Sequence, residues 1–204
     1  GQLKGWQVWS IERRENLLED HSMLEKYLKG DATNEEMLDY YLGWILDGSV
    51  QPHFEGKTTA ETQYAKKWGL SIVVHDLRKV VNMARKGGRK VVLGGHSLGG
   101  SIVTAYATWN FNGTPGAKGL SGLVFIDGAG AREAADLPTA GEAQANLDSL
   151  NAESASPFIT LVPPLPWAAG VFNAMGSTAA LQDPDSRSLM EDFPLLPDSL
   201  KPPV

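Results

Sequence analysis

The stretch that most constrains this chain is residues 90–101, KVVLGGHSLGGS. Val91, Val92 and Leu93 form a short apolar run suited to a buried strand, and an apolar segment of helical character follows the glycines. Between them, Gly95-His96-Ser97-Leu98-Gly99 reads G-x-S-x-G in the order strand, sharp turn, helix. In such a turn the places two before and two after the serine must be small, because strand and helix nearly touch there. Gly95 and Gly99 fill those places, and Gly100 relieves crowding further. The turn exposes the Ser97 hydroxyl and aims the first N–H groups of the helix at whatever the serine attacks. Ser97 is therefore the candidate nucleophile and the Leu98 backbone N–H a candidate oxyanion donor. The alternative is a Gly-rich turn with a solvated serine, and the flanking strand and helix weigh against it.

On these residues, 91–100 resemble the nucleophile elbow of the α/β-hydrolase superfamily, in the GHSLGG form frequent among lipases, esterases and thioesterases. Residues 5–12 (GWQVWSIE) resemble the strand two before the elbow, and residues 121–127 (SGLVFID) the strand after it. The likeness covers residues 1–130 in plan, a hydrolase core segment; residues 131–204 resemble the Pro-rich lid that such hydrolases insert after that later strand. The resemblance implies an α/β fold with a parallel sheet, incomplete here, of which three core strands are readable. It implies ester hydrolysis through a Ser97 acyl-enzyme, on a small-molecule ester with an apolar acyl group. The same parts serve an acyltransferase or a thioesterase.

At 204 residues the chain is long enough to bury a core of its own. Its formal net charge of −6 leaves no basic surplus to hold a phosphate backbone, which argues against a nucleic-acid partner. The lack of cysteine excludes disulfides, thiol catalysis and zinc–thiolate sites. The first residues lack the basic start and continuous apolar region of a signal peptide.

Taken in order, residues 6–11 read as a buried parallel strand. Glu12-Arg13-Arg14-Glu15 at its end could meet a substrate carboxylate, with a solvated ion pair as the commoner outcome. Leu17, His21, Leu24 and Leu28 share a helical face that Gly30 can close, which makes His21 a packed histidine. Thr33 to Glu36 reads as a capping box, with Met37, Tyr41, Trp44, Ile45 and Gly48 carrying its helix onward. A polar loop with Pro52 and His53 follows. Residues 70–86 form an amphipathic helix with Val73, Leu77, Val80, Val81 and Ala84 on one face, and His75 and Asp76 off it. Arg85, Lys86, Arg89 and Lys90 suit a helix C-terminus. After the elbow come a helix over about 98–111, a Gly/Pro turn at 113–116 and a strand over 120–127.

Beyond Gly130 the pattern changes. Ten of the twelve prolines lie there, and residues 154–182 carry no charge. Pro157, Pro163, Pro164 and Pro166 break that segment as a membrane span, so no transmembrane span is expected. Phe158, Trp167, Phe172 and Met175 either face an acyl group from the lid or pack against the sheet.

A serine nucleophile needs a base and an acid that orients the base, and in the family the chain order is Ser, Asp or Glu, then His. His21, His53, His75 and His96 all precede or adjoin Ser97, and none follows it. His96 leaves its strand on the face opposite to its neighbour. The expectation is a middle piece of a larger hydrolase whose base, and second oxyanion donor, come from a segment not seen or from a second chain. Asp127, at the end of the strand after the elbow, is the candidate acid, or else it caps the turn into Gly128. The rival class is a non-catalytic hydrolase-like binding protein that keeps Ser97 without a triad. Dinucleotide binding fails on its motif, since GAGARE at 128–133 places Glu133 where a third glycine or alanine belongs. There is no P-loop lysine and no H-E-x-x-H, and so no cofactor or metal is implied.

Overall fold

The computed structural model describes residues 5–128, 137–158, 167–185, 187–191 and 193–195. In chain order its helices are α1 (Ser22–Lys29), α2 (Asn34–Tyr41), α3 (Thr59–Thr62), α4 (Leu70–Ala84), α5 (Leu98–Thr108), α6 (Ala140–Asn151) and α7 (Ala168–Gln182). Its strands are β1 (Val92–His96), β2 (Asn110–Phe111), β3 (Thr114–Pro115) and β4 (Gly122–Ile126). Contacts group the chain into two units, Gly1–Thr58 with Phe158–Val204, and Thr59–Pro157. None of the described helices is long and apolar enough to cross a membrane.

In the first unit, α1, α2 and α7 close around Leu24, Tyr27, Met37, Tyr41, Leu42, Phe54, Met175 and Phe193. Gly30 ends α1 in the left-handed region at φ 79°, a conformation that costs glycine little. Thr33 and Glu36 form the expected capping box, each side chain bonding the other's backbone N–H at 3.1 and 2.8 Å. Such a cap stabilises a helix by about 1 kcal/mol. Burial pushes the Tyr41 phenol up to about 12, and its hydroxyl donates to the Asp20 carbonyl at 2.7 Å.

Several sequence expectations are corrected here. Residues 6–11 form no strand, and Trp6, Val8, Trp9 and Ile11 lie exposed. An apolar run becomes a strand only where a ladder receives its N–H and C=O groups, and none of the described strands does so. Leu17 sits in a short 3-10 turn (Arg14–Leu18) at 82% exposure, and Leu28 is also open; the buried face of α1 is Leu24 with Tyr27. His21 stands at the N-cap position of α1, paired with Glu19 at 2.9 Å. α2 stops at Tyr41, where Leu42 leaves helical geometry at φ −134°, and a 3-10 turn (Gly43–Ile45) replaces the longer helix. Arg13 pairs with Glu15 at 3.9 Å in solvent, the commoner of the two outcomes weighed.

One partly buried polar cluster of this unit gives a pH dependence. Partial burial pushes the Asp20 carboxyl up, but hydrogen bonds from the Tyr40 hydroxyl and from Ser22 outweigh it, holding the group below its ordinary value of 3.8. A depressed carboxyl stabilises the fold above the unfolded value and loses that contribution as pH falls through the folded one. Unfolding midpoints of the wild type are expected to fall from pH 4 downward. Tyr40→Phe should flatten that fall; an unchanged slope in the variant would assign it to other carboxylates.

In the second unit, α4 and α5 pack over β1 and share Val74, Val81, Leu93, Val103, Tyr106 and Phe111. Val74 is fully buried and Val81 nearly so. The inward face of α4 therefore runs Val74, Leu77, Val81, turned from the expected Val73, Leu77, Val80, Val81, Ala84. Of the cations after α4, Arg89 takes the expected role, donating to the Ala84 carbonyl at 2.8 Å and to that of Met83 at 3.3 Å. α5 ends at Thr108, three residues early, because Trp109 turns extended (φ −61°, ψ 131°) into a hairpin of β2 and β3. Its turn residues, Asn112 and Gly113, take φ 55° and 86°, the left-handed pair that Asn-Gly hairpins favour. β1 and β4 pair in parallel, Val92 opposite Gly122 through His96 opposite Ile126, with α5 as the crossover. This is an α/β arrangement whose parallel sheet has two strands among the described residues.

Candidate active site

Ser97 is the single residue between β1 and α5, held at φ 51° and ψ −121°. A non-glycine residue at positive φ is strained, at a cost on the order of 1–3 kcal/mol. Surrounding contacts fix it there. Its N–H donates to the Ile126 carbonyl at 3.1 Å, and its carbonyl accepts the Gly100 N–H at 2.9 Å. The side chain is exposed at the tip of this turn. Leu98 and Gly99 open α5, so their N–H groups have no acceptor one turn back and point out of the helix beside the serine.

The crowding at this turn differs from the sequence expectation. A Cβ on Gly95 would lie 2.1 Å from the Gly99 carbonyl oxygen and 2.7 Å from the Gly100 nitrogen. Gly95 must be glycine. At Gly99 a Cβ would meet nothing within 4 Å, so its small size serves no contact here. The tight partners are Gly100 and Gly128: a Cβ on Gly100 would sit 3.1 Å from the Gly128 backbone, and one on Gly128 2.6 Å from the Ser97 carbonyl oxygen. Gly128 was missed as a site residue. Its signal was present in the sequence, as a glycine directly after the strand that must pair beside the elbow.

Asp127 follows Ile126 as Ser97 follows His96, so the two residues leave the paired strands at the same end. Neighbouring strands lie about 4.8 Å apart, which brings the two turns side by side. Asp127 also takes positive φ, 42°, and is exposed. The serine, the aspartate and the leading N–H groups of α5 thus gather at one strand-end edge.

Neither histidine of this unit joins them. His75 lies on α4 with Nδ1 2.6 Å from the Ser71 carbonyl, its ring edge-on to Trp109 and Phe111 at 6.1 and 5.4 Å. Those aromatics stand past the C-terminal end of α5, whose 11 residues put about 16 Å between them and the serine end. His96 is the last residue of β1 and faces solvent. In the other unit His21 pairs with Glu19, and His53 stacks on Trp44 at 4.8 Å with Nδ1 3.0 Å from the Phe54 carbonyl.

Of the apolar residues weighed as facing an acyl group, Met175 is buried in the helical core and Phe172 packs against it. Trp167 meets Phe54 edge-on at 4.9 Å and stacks with Trp44 at 6.4 Å, while Gly56 passes close beneath its ring. Packing claims these three. Phe158 is half-buried. Residues 129–136 and 159–166 of the expected lid lie outside the described residues.

The sequence profile of the Alpha/beta hydrolase family matches residues 51–203, more than half of the chain and inclusive of the elbow. No curated protein and no solved structure matches the chain.

Proposed function

From a chain that belongs to the α/β-hydrolase family, we propose a serine hydrolase that cleaves carboxylic esters through an acyl-enzyme on Ser97. The observation that carries this reading is the position of Ser97, alone and exposed at positive φ between a parallel strand and a helix N-terminus. The Ser97 Oγ attacks the ester carbonyl and its proton passes to a histidine base, contributed by sequence beyond these residues or by a second chain. The Leu98 N–H donates to the oxyanion of the tetrahedral intermediate. Collapse expels the alcohol, which takes the proton back from the base. Water activated by the same base then attacks the acyl-enzyme, releasing the acid and restoring Ser97. Asp127 orients and stabilises the protonated histidine. An acyltransferase would use an alcohol or amine in place of that water, and a thioesterase a thiol leaving group.

Residues 131–204 act as a cap in this reading. The support is α6, a helix exposed along its length with Leu147 and Leu150 open to solvent one turn apart.

Within the Thr59–Pro157 unit, His75 stands at the far end of α5 from Ser97 and His96 faces solvent, which favours a second reading, a binding protein on a hydrolase scaffold. Fluorophosphonate labelling, read by intact mass with Ser97→Ala as control, separates the two. An enzyme with its base in reach gains one adduct that the variant lacks. No adduct on the folded chain, in the presence of any copurifying partner, would leave the binding reading.

A further inference from the structure

An unassigned feature of the Thr59–Pro157 unit is a cavity of about 340 Å³ lined by His75, Arg78, Lys79, Asn110, Phe111 and Asn112. It sits at the end of α5 remote from Ser97. The chain as a whole is acidic, 24 carboxylates against 18 Lys and Arg, yet this lining holds two permanent cations and a histidine and no carboxylate. Asp76, outside the lining, pairs with the exposed Lys79 at 3.0 Å and takes up part of its charge.

The lining is also organised. The Arg78 guanidinium lies 4.2 Å over the Phe111 ring, which holds this planar donor group in place. The Asn110 carboxamide oxygen accepts the Gly113 N–H inside the hairpin turn, which leaves its NH₂ group as the free end. A carbonyl can only accept, so the His75 Nδ1 that meets the Ser71 carbonyl carries a proton and Nε2 is the other polar atom of that ring. Asn112, locked at φ 55°, adds a second carboxamide. A held guanidinium and amide donors, with Lys79 shared between Asp76 and the cavity, suit an oxyanion, and the volume fits a small organic molecule.

We infer that this cavity binds a small organic oxyanion, a phosphate or carboxylate, at a site separate from the elbow. Arg78 and Lys79 supply the charge, and the Asn110 and Asn112 amides orient it. The site stands independently of the hydrolase reading, since it shares no residue with the serine edge.

The test is a ¹⁵N–¹H titration of the full chain with inorganic phosphate and, separately, acetate, each against sodium chloride of equal ionic strength. Saturable shifts are expected at the Lys79, Asn110 and Asn112 amides, with phosphate preferred if the ligand is a dianion and acetate if it is a carboxylate. Lys79→Gln, whose side chain is largely solvated, and Asn112→Gly, which keeps the positive φ, should each weaken binding at least fivefold. Neither substitution touches the core. Ser97→Ala should leave the titration unchanged. Shifts that sodium chloride reproduces, that do not saturate, or that both pocket variants retain at full affinity would overturn the assignment.

Discussion

Gly95→Ala is expected to abolish cooperative folding of the Thr59–Pro157 unit, whereas Gly99→Ala leaves it intact. The two glycines flank the same serine symmetrically in sequence, and their surroundings are opposite. An added Cβ at Gly95 would lie 2.1 Å from the Gly99 carbonyl oxygen and 2.2 Å from its carbon. Both are backbone atoms of the first turn of α5, so no side-chain rotation relieves the overlap. β1 and α5 would have to separate, opening the layer that holds Leu93 and Val103. Ordinary overpacking costs about 1–3 kcal/mol, and an overlap with fixed backbone exceeds that range. Gly99 has open space at the same point and sits inside the first turn of the helix, where alanine is about 1 kcal/mol more favourable than glycine. Urea unfolding followed by far-UV circular dichroism decides the matter. Equal midpoints for the two variants would mean that the elbow is looser than the packing of β1 against α5 implies.

Asp127→Asn carries the second large effect, on turnover rather than on folding. Asparagine tolerates positive φ as aspartate does, so the backbone at φ 42° is kept while the charge is removed. If Asp127 orients the base, kcat for a soluble ester should fall by about 10⁴-fold, the scale seen when a triad acid becomes an amide. The measurement belongs on protein whose Ser97 labels with fluorophosphonate, with equal unfolding midpoints for the two proteins as the control. Turnover unchanged in the variant would assign Asp127 to the turn into Gly128 alone.

What could be read beforehand divides along a physical line. The elbow was legible because its requirements are local: apolar residues for β1, glycines for close approach, a helix start directly after Ser97. The Thr33–Glu36 box and the Gly30 cap were legible for the same reason, since both partners lie within one turn of chain. Residues 6–11 were misread because an apolar run states only that burial is favourable, and pairing depends on a distant strand that sequence spacing does not specify. The face of α4 was misplaced by one position: Val73, Val74, Val80 and Val81 allow two neighbouring stripes, and Leu93 and Val103 select the one through Val74. Trp167, Phe172 and Met175 looked like candidates for a substrate wall because composition marks them as apolar without saying what covers them. Gly128 escaped notice because its constraint comes from the backbone of Ser97, 31 positions earlier in the chain.

The conformation of Ser97 also bears on how this sequence can drift. At φ 51° and ψ −121°, any side chain is a burden to the fold, and glycine is the residue that position relaxes to when stability alone is selected. A lineage that had stopped using the hydroxyl would gain from losing it by a single substitution. Serine at that turn is thus a standing cost to the fold, and the chain bears it where an exposed hydroxyl stands beside the leading N–H groups of α5.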